Sequence, residues 1–196
     1  GRFLEKGFKG IAVEIDEVVR ELKKNGATKI IVGGHSLGAN LALAYGANRK
    51  GLAGVLVIAP GHFPDQRGYT RRFTEDLEKA KKMVADGKGD EESDFGDLNQ
   101  GDVDTFSIKA KFYVDFMDPK GPMVMRDNAS KLDKNTPLMV IIGKRDRAFK
   151  RKRGKKEYYF SMPEPHPKSM YKVVRGGHKA TPRIAKDEII EWLKSL

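Results

Sequence analysis

The residues with the clearest chemical potential form the run Gly34-His35-Ser36-Leu37-Gly38, which matches the pattern G-x-S-x-G. In this pattern a strand turns sharply into a helix, and the serine occupies a strained apex that leaves no space for side chains at the flanking glycines. The start of the helix directs backbone N–H groups toward developing negative charge. The same sequence pattern also occurs in glycine-rich turns whose serine has no catalytic role. The apolar run before it and the small-residue run after it favour a nucleophilic serine.

A nucleophilic serine needs a general base, and the base needs an acid that orients it. The sequence has four histidines: His35, His62, His166 and His178. The side chain of His35 is expected to point away from the serine, whereas His178 follows an apolar run, as does Asp146. Ser36, Asp146 and His178 therefore stand in that order, each at the carboxyl end of a different strand, where open parallel sheets bind ligands. Taken singly, each has the alternative of a structural role.

The elements that would position these residues alternate along the chain. Short apolar runs predict strands at 29–33, 52–59, 138–142 and 170–174. Helices are predicted over 10–25 and 39–47, and a C-terminal helix is predicted with Thr181 as its N-cap and Pro182 at its first position. Continuous hydrophobicity is typical of strands buried on both faces. The sequence therefore predicts an α/β fold with a mostly parallel sheet flanked by helices.

The long connection between the second and third strands predicts an inserted helical cap or lid over 62–136, and residues 1–61 and 137–196 then form the core. The cap segment has a predicted helix at 75–85, an acidic loop at 86–92 and an aromatic-rich stretch at 106–117. Candidate substrate-pocket residues are His35, Phe63, Phe116, Met117 and Met123. The apolar members of this set could equally form the core of the cap.

Composition narrows the classes of function. The absence of cysteine excludes disulfides, thiolate metal sites and a cysteine nucleophile. No nucleotide-binding or zinc motif occurs, so no cofactor and no metal are expected. The net charge of +11 favours acidic partners or solubility, and the basic run 150–156 is expected to be a solvated loop rather than a nucleic-acid site. No stretch is apolar enough for a transmembrane segment, and the compartment stays open.

These motifs resemble the α/β-hydrolase superfamily. They are Gly-His-Ser-Leu-Gly at 34–38, Ala-Pro-Gly at 59–61, Ile-Gly-Lys-Arg-Asp at 142–146 and Gly-His at 177–178, and together they span most of the chain. Within that superfamily the chain looks like bacterial capped serine esterases and lipases. The resemblance implies Ser36 as nucleophile, His178 as general base, Asp146 as its orienting acid and the Leu37 backbone N–H as one oxyanion donor. The expected substrate is a small-molecule ester.

The sequence departs from that family upstream of residue 10. No counterpart is found for the early strands or for the loop that supplies the second oxyanion donor, whose loss costs about a hundred- to a thousandfold in turnover. The chain is therefore expected to be a fragment, or its strand at 29–33 to be covered by a second copy or another chain. Two alternatives stay open: a non-catalytic α/β-hydrolase-like module, and a triad acting on another acyl or C–C bond substrate.

Overall fold

The computed structural model of the protein describes residues 2–99, 102–162 and 164–196. Single turns of 3-10 helix occupy Arg71–Phe73 and His178–Ala180. The described strands are β1 (Ile31–Ser36), β2 (Gly54–Pro60), β3 (Glu92–Asn99), β4 (Asp102–Lys109), β5 (Leu138–Gly143) and β6 (Met170–Val174). The described helices are α1 (Arg2–Lys24), α2 (Leu37–Ala47), α3 (Arg67–Thr70), α4 (Thr74–Ala85), α5 (Ala110–Met117), α6 (Met125–Lys131), α7 (Arg147–Lys150), α8 (Lys156–Tyr159), α9 (Thr181–Ile184) and α10 (Lys186–Ser195).

Four strands form a parallel sheet in the order β1-β2-β5-β6. They are the four predicted from apolar runs, and the predicted α/β fold with a helix-flanked parallel sheet is confirmed. The sequence placed β6 at its observed bounds. It ended the first strand too early, because β1 runs on through the polar residues His35 and Ser36. The serine is therefore the last residue of a strand, and α2 begins at the next residue.

Both faces of this sheet are covered by helices. On one face Gly46 of α2 approaches β2 so closely that an added Cβ would lie 2.5 Å from a methyl group of Val55. On the other face Leu56 packs in a buried cluster with Trp192 of α10. Successive side chains of a strand point to opposite faces, so a strand covered on both sides is apolar throughout. This explains the continuous rather than alternating hydrophobicity of β2 and β5.

The chain divides into two compact units, residues 1–22 with 63–124 and residues 23–62 with 125–196. We call the second the sheet unit and the first the insertion unit. This division differs from the predicted boundaries in two places. Most of α1 groups with the insertion, because Gly7, at φ 60°, turns the chain against Phe112 of α5. Helix α6 groups with the sheet, because it packs on α2.

The insertion unit is not purely helical. Strands β3 and β4 pair as an antiparallel hairpin, with Phe95 opposite Phe106. The predicted acidic loop at 86–92 is only the approach to β3, and the aromatic-rich stretch at 106–117 is divided between β4 and α5. The ring of Phe95 stacks on that of Tyr113, with centroids 4.3 Å apart. The hairpin is therefore fixed to α5 by aromatic packing, and the expectation of a helical cap is wrong in this respect.

The predicted cap of the C-terminal helix is also wrong. Thr181 is the first residue of α9 rather than its N-cap, and its hydroxyl donates a hydrogen bond back to the Gly177 carbonyl at 2.9 Å. A second helix, α10, follows after Ala185 and is anchored by Trp192, whose indole N–H donates to the Lys168 carbonyl. Among the residues that the structure describes, no helix has the length and apolarity required to cross a membrane.

Candidate active site

Ser36 lies at the junction of β1 and α2 in a strained backbone conformation. Its φ of 58° and ψ of −122° fall in a region that non-glycine residues rarely adopt. A Cβ added to Gly34 would lie 2.2 Å from the Gly38 carbonyl oxygen, so only glycine fits there. A Cβ on Gly38 would meet nothing within 4 Å. The steric requirement predicted for both glycines therefore holds at Gly34 and is wrong at Gly38.

The side chains of Ser36, His178 and Asp146 form a continuous hydrogen-bonded chain. His178 Nε2 lies 2.9 Å from Ser36 Oγ, and His178 Nδ1 lies 2.8 Å from Asp146 Oδ2. A carboxylate only accepts, so Nδ1 carries the ring proton and Nε2 is free to accept from the serine. The side chains of His178 and Asp146 are 11% and 3% exposed. The arrangement is that of a nucleophile, a general base and an orienting acid.

Asp146 has a second local task that the sequence analysis missed. It is the N-cap of α7, and its Oδ1 accepts a hydrogen bond from the Ala148 backbone N–H at 2.8 Å. The two carboxylate oxygens are thus divided between the helix and His178. The cap fixes the side-chain rotamer, so the oxygen that faces the imidazole is held in place. Aspartate is a preferred N-cap residue, so its position directly before α7 is the sequence signal that could have indicated this.

The loops that carry Asp146 and His178 are hydrogen-bonded to each other beyond the ends of their strands. The Lys144 N–H donates to the Val174 carbonyl at 2.8 Å, and the Arg145 N–H donates to the Gly176 carbonyl at 2.7 Å. His178 then starts a 3-10 turn. The spacing between Asp146 and His178 is therefore set by main-chain bonds, and His178 is held in a turn.

His35 contacts His178 from the turn between β1 and α2. Its Nε2 lies 3.1 Å from the His178 carbonyl oxygen, and the two rings are 4.9 Å apart. Because a carbonyl only accepts, Nε2 of His35 is the donor in this bond. The bond links the residue before Ser36 to the backbone of His178. The orientation expected for His35, away from the serine, stays a prediction. A part in substrate binding, predicted from the sequence, stays a prediction.

The exit of β2 forms a further wall of the site. The Gly61 N–H donates to the Ser36 carbonyl at 3.1 Å, and a Cβ on Gly61 would lie 3.0 Å from Ser36 Oγ. Two neighbours have positive φ, Ala59 at 41° and His62 at 64°. The His62 carbonyl accepts a hydrogen bond from the side chain of Asn40, which is fully buried on α2. The sequence motif Ala-Pro-Gly at 59–61 was noted, but its contact with the serine was not foreseen.

The apolar pocket candidates belong to the insertion unit. The four apolar pocket candidates are buried in the insertion unit, each at most 7% exposed: Phe63, Phe116, Met117 and Met123. Such burial is typical of core residues, and their role toward a substrate stays a prediction. His166 lies in a turn, where its Nδ1 accepts the Lys168 N–H. Over the described parts of the chain, no three His, Asp or Glu side chains form a group that could hold a metal ion.

Several solved structures are similar to this chain in fold. A monoacylglycerol lipase from Paleococcus ferrophilus matches with a TM-score of 0.62 at 15% identity, covering 96% of this chain and 76% of that one. The alpha/beta hydrolase GrgF from Penicillium sp. sh18 matches with a TM-score of 0.67 at 17% identity, covering 96% and 72%. A thermostable carboxyl esterase from Bacillus coagulans matches with a TM-score of 0.56 at 16% identity, covering 97% and 71%. No protein-family model and no curated protein matches the sequence.

The fold and the site together define a parallel α/β protein that carries a serine, a histidine and an aspartate at one edge of its sheet. The similar solved structures show which fold this architecture represents. The chain has the α/β-hydrolase fold. At sequence identities of 15–17%, the similarity between this chain and these structures is a similarity of fold.

Proposed function

We propose that the protein is a serine hydrolase that cleaves carboxylic esters through an acyl-enzyme. The observation that carries this conclusion is the chain of hydrogen bonds from Ser36 Oγ through the His178 ring to Asp146, at 2.9 and 2.8 Å. The strained φ of Ser36 supports it, because such strain occurs mainly at functional sites. Similar folds in proteins named as a lipase and a carboxyl esterase support the same class of reaction.

In the proposed reaction, Ser36 Oγ attacks the carbonyl carbon of the ester while His178 Nε2 accepts the hydroxyl proton. The Leu37 N–H, at the start of α2, donates to the oxyanion that forms. The tetrahedral intermediate collapses, the C–O bond to the alcohol breaks, and His178 gives its proton to the leaving alcohol. A water molecule then loses a proton to His178, attacks the acyl-enzyme and releases the acid, which regenerates Ser36.

Two alternatives follow from the sequence. A non-catalytic module needs no contact between the serine and the histidine, and the 2.9 Å separation favours an enzyme. Another acyl substrate, such as a thioester, would use the same residues in the same roles. A thioesterase domain from the curacin biosynthetic pathway has a similar fold, with a TM-score of 0.55 at 15% identity. Parallel assays with an oxygen ester and a thioester of the same acyl chain separate the two substrate classes.

The test is labelling of the folded chain with a fluorophosphonate, followed by mass spectrometry and by ester hydrolysis assays. Ser36 is the expected site of modification, and heat-denatured protein should not react. The variant Ser36→Ala should lose labelling and at least about a thousandfold in kcat, without a change in thermal unfolding. Ser130→Ala is the matched control, because its hydroxyl only donates to the Asp127 carbonyl. Equal hydrolysis by Ser36→Ala and the parent would refute the proposal.

The outer edge of β1 is proposed as a pairing site for a strand from a second copy or another chain. Among the described strands, β1 pairs only with β2. An open strand edge is a template for further pairing. Analytical ultracentrifugation over a tenfold concentration range should therefore detect association, and a chain that stays monomeric throughout would contradict self-pairing.

A further inference from the structure

The positive charge of the protein is concentrated in the sheet unit. That unit carries 24 Lys and Arg against eight Asp and Glu, whereas the insertion unit carries 14 against 19. The net charges are therefore +16 and −5, so the total of +11 understates the asymmetry. A field of one sign over one unit attracts anions to it. The question is whether the sheet unit offers them a defined place.

A cleft at the carboxyl ends of β5 and β6 gathers three of these cations. Its volume is about 580 Å³, and it is lined by Lys144, Arg145 and Arg175 together with Val173, Val174 and Gly176. All three basic residues are exposed. Within the described part of the chain, no carboxylate oxygen lies within 4.0 Å of any of the three. Their charges are thus not neutralised by the chain itself.

The backbone that carries the three cations is fixed. The Lys144 and Arg145 N–H groups are held by the carbonyls of Val174 and Gly176, at 2.8 and 2.7 Å. A side chain at Gly176 would collide with Ile184, at 2.7 Å from an added Cβ, so this turn has little freedom to rearrange. The backbone positions from which the three cations extend are therefore set before any ligand arrives. Since these two main-chain donors are already used, recognition in the cleft is expected to come mainly from the side chains.

The chemistry of the three side chains favours a particular anion. Two guanidinium groups match the spacing of oxygen pairs on a tetrahedral oxyanion, and the lysine adds a point charge. A dianion balances three cations better than a single carboxylate does. The basic run 150–156 belongs to the same unit and is tied to β6, because the Tyr171 hydroxyl donates a hydrogen bond to the Gly154 carbonyl. This run adds longer-range attraction for anions.

We infer that the cleft between Lys144, Arg145 and Arg175 is a binding site for a phosphate group, presented either as free phosphate or as a phospholipid headgroup. The site is separate from the Ser36 hydroxyl and needs no hydrolysis. Its walls are nevertheless the loops that lead into Asp146 and His178. An anion held there would lie beside the segments that position the acid and the base.

Calorimetric titration with inorganic phosphate at low ionic strength tests the site. The parent chain should bind one phosphate, and Arg145→Gln/Arg175→Gln should raise Kd at least about tenfold. The control Lys50→Gln/Lys194→Gln removes the same charge from exposed positions of the same unit and should change Kd less than twofold. Lys144→Gln serves if the double variant does not fold. The Ser36→Ala chain should bind phosphate as the parent does, so failure of the proposed hydrolase would leave this result intact.

Sedimentation with phosphatidylcholine vesicles, with and without phosphatidic acid, distinguishes the two sources of phosphate. Binding of free phosphate without vesicle binding would support the site as one for a small ligand. Vesicle binding that requires phosphatidic acid and is lost in the cleft variant would support a headgroup. An equal loss of binding in the cleft variant and the control would mean that only the general charge attracts anions, and would overturn the inference. A parent chain that binds neither inorganic phosphate nor vesicles with phosphatidic acid would also overturn the inference.

Discussion

Replacing Gly61 with alanine should impair the proposed nucleophile without unfolding the chain. The added Cβ would lie 3.0 Å from Ser36 Oγ but 3.7 Å from His178 Cε1. The second distance is an ordinary van der Waals contact, whereas the first is short by about 0.4 Å relative to the 3.4 Å at which such contacts begin. The serine hydroxyl, rather than the imidazole, must therefore move. Gly61 has no positive φ, so its backbone accepts alanine.

A displacement of about 0.4 Å acts directly on the 2.9 Å bond between Ser36 Oγ and His178 Nε2. Weakening a hydrogen bond of this kind costs about 0.5–1.5 kcal/mol, and 1.36 kcal/mol corresponds to a factor of ten in rate. Gly61→Ala should accordingly reduce both kcat and the rate of fluorophosphonate labelling by about tenfold. The labelling rate is the more general measurement, because it does not depend on the choice of substrate.

Gly177→Ala is the matched control for this experiment. Gly177 stands next to His178, its φ of −108° suits alanine, and its added Cβ would meet nothing within 4 Å. The control should keep parental activity, and both variants should unfold within a few degrees of the parent. If Gly61→Ala were labelled within twofold of the parental rate, Ser36 Oγ would not lie within 3.0 Å of the added Cβ, and the steric explanation would be refuted. If Gly177→Ala lost as much activity, the effect would belong to the loops and not to the contact.

Three further predictions follow from the geometry of the site and its surroundings. Gly34→Ala should destabilise the chain by about 3 kcal/mol or more in urea unfolding, whereas Gly38→Ala should be neutral or stabilise it by up to about 1 kcal/mol; similar costs would contradict the steric account. Asp146→Asn should keep the cap on Ala148 yet lower kcat about ten-thousandfold, and Asp146→Ala should in addition lose about 1 kcal/mol of stability, so a fully active Asn variant would exclude an orienting acid. Burial raises the pKa of Asp115, so its contribution to stability falls as pH rises from the ordinary carboxyl pKa to the raised one. Asp115→Asn should therefore gain more unfolding free energy relative to the parent at pH 7 than at pH 3, and a pH-independent difference would refute this.

The parts of the fold that the sequence predicted are those with a strong local signal. Continuous apolar runs indicated all four sheet strands, and parallel strands place their carboxyl ends at one edge. That rule is enough to bring Ser36, Asp146 and His178 together without any knowledge of side-chain positions. The same rule does not predict the distance between the side chains of Asp146 and His178. Main-chain bonds such as that from Arg145 to Gly176 depend on the tertiary structure.

The hairpin of β3 and β4 was missed because its first strand has a composition unlike that of a strand. Residues 92–99 read Glu-Ser-Asp-Phe-Gly-Asp-Leu-Asn, which is rich in residues that strands usually avoid. The segment is a strand because Phe95 packs on Tyr113 and the Tyr113 hydroxyl donates to the Gly96 carbonyl at 2.8 Å. Both contacts join segments that are distant in sequence. Tertiary packing therefore outweighs local propensity in β3, so the composition of residues 92–99 alone does not predict the strand.

The strained residues around the proposed nucleophile follow the same logic. Ser36, Ala59 and His62 all have positive φ, although none is a glycine, and each such residue costs about 1–3 kcal/mol. Only the serine could be anticipated, from the motif that surrounds it. The others are held by contacts with α2 and β1, among them the bond from Gly61 to the Ser36 carbonyl. Because these contacts hold the exit of β2 against the end of β1, strain in the two segments is coupled. A methyl group at Gly61 would stand between these segments, 3.0 Å from Ser36 Oγ, which is why this single substitution is expected to matter.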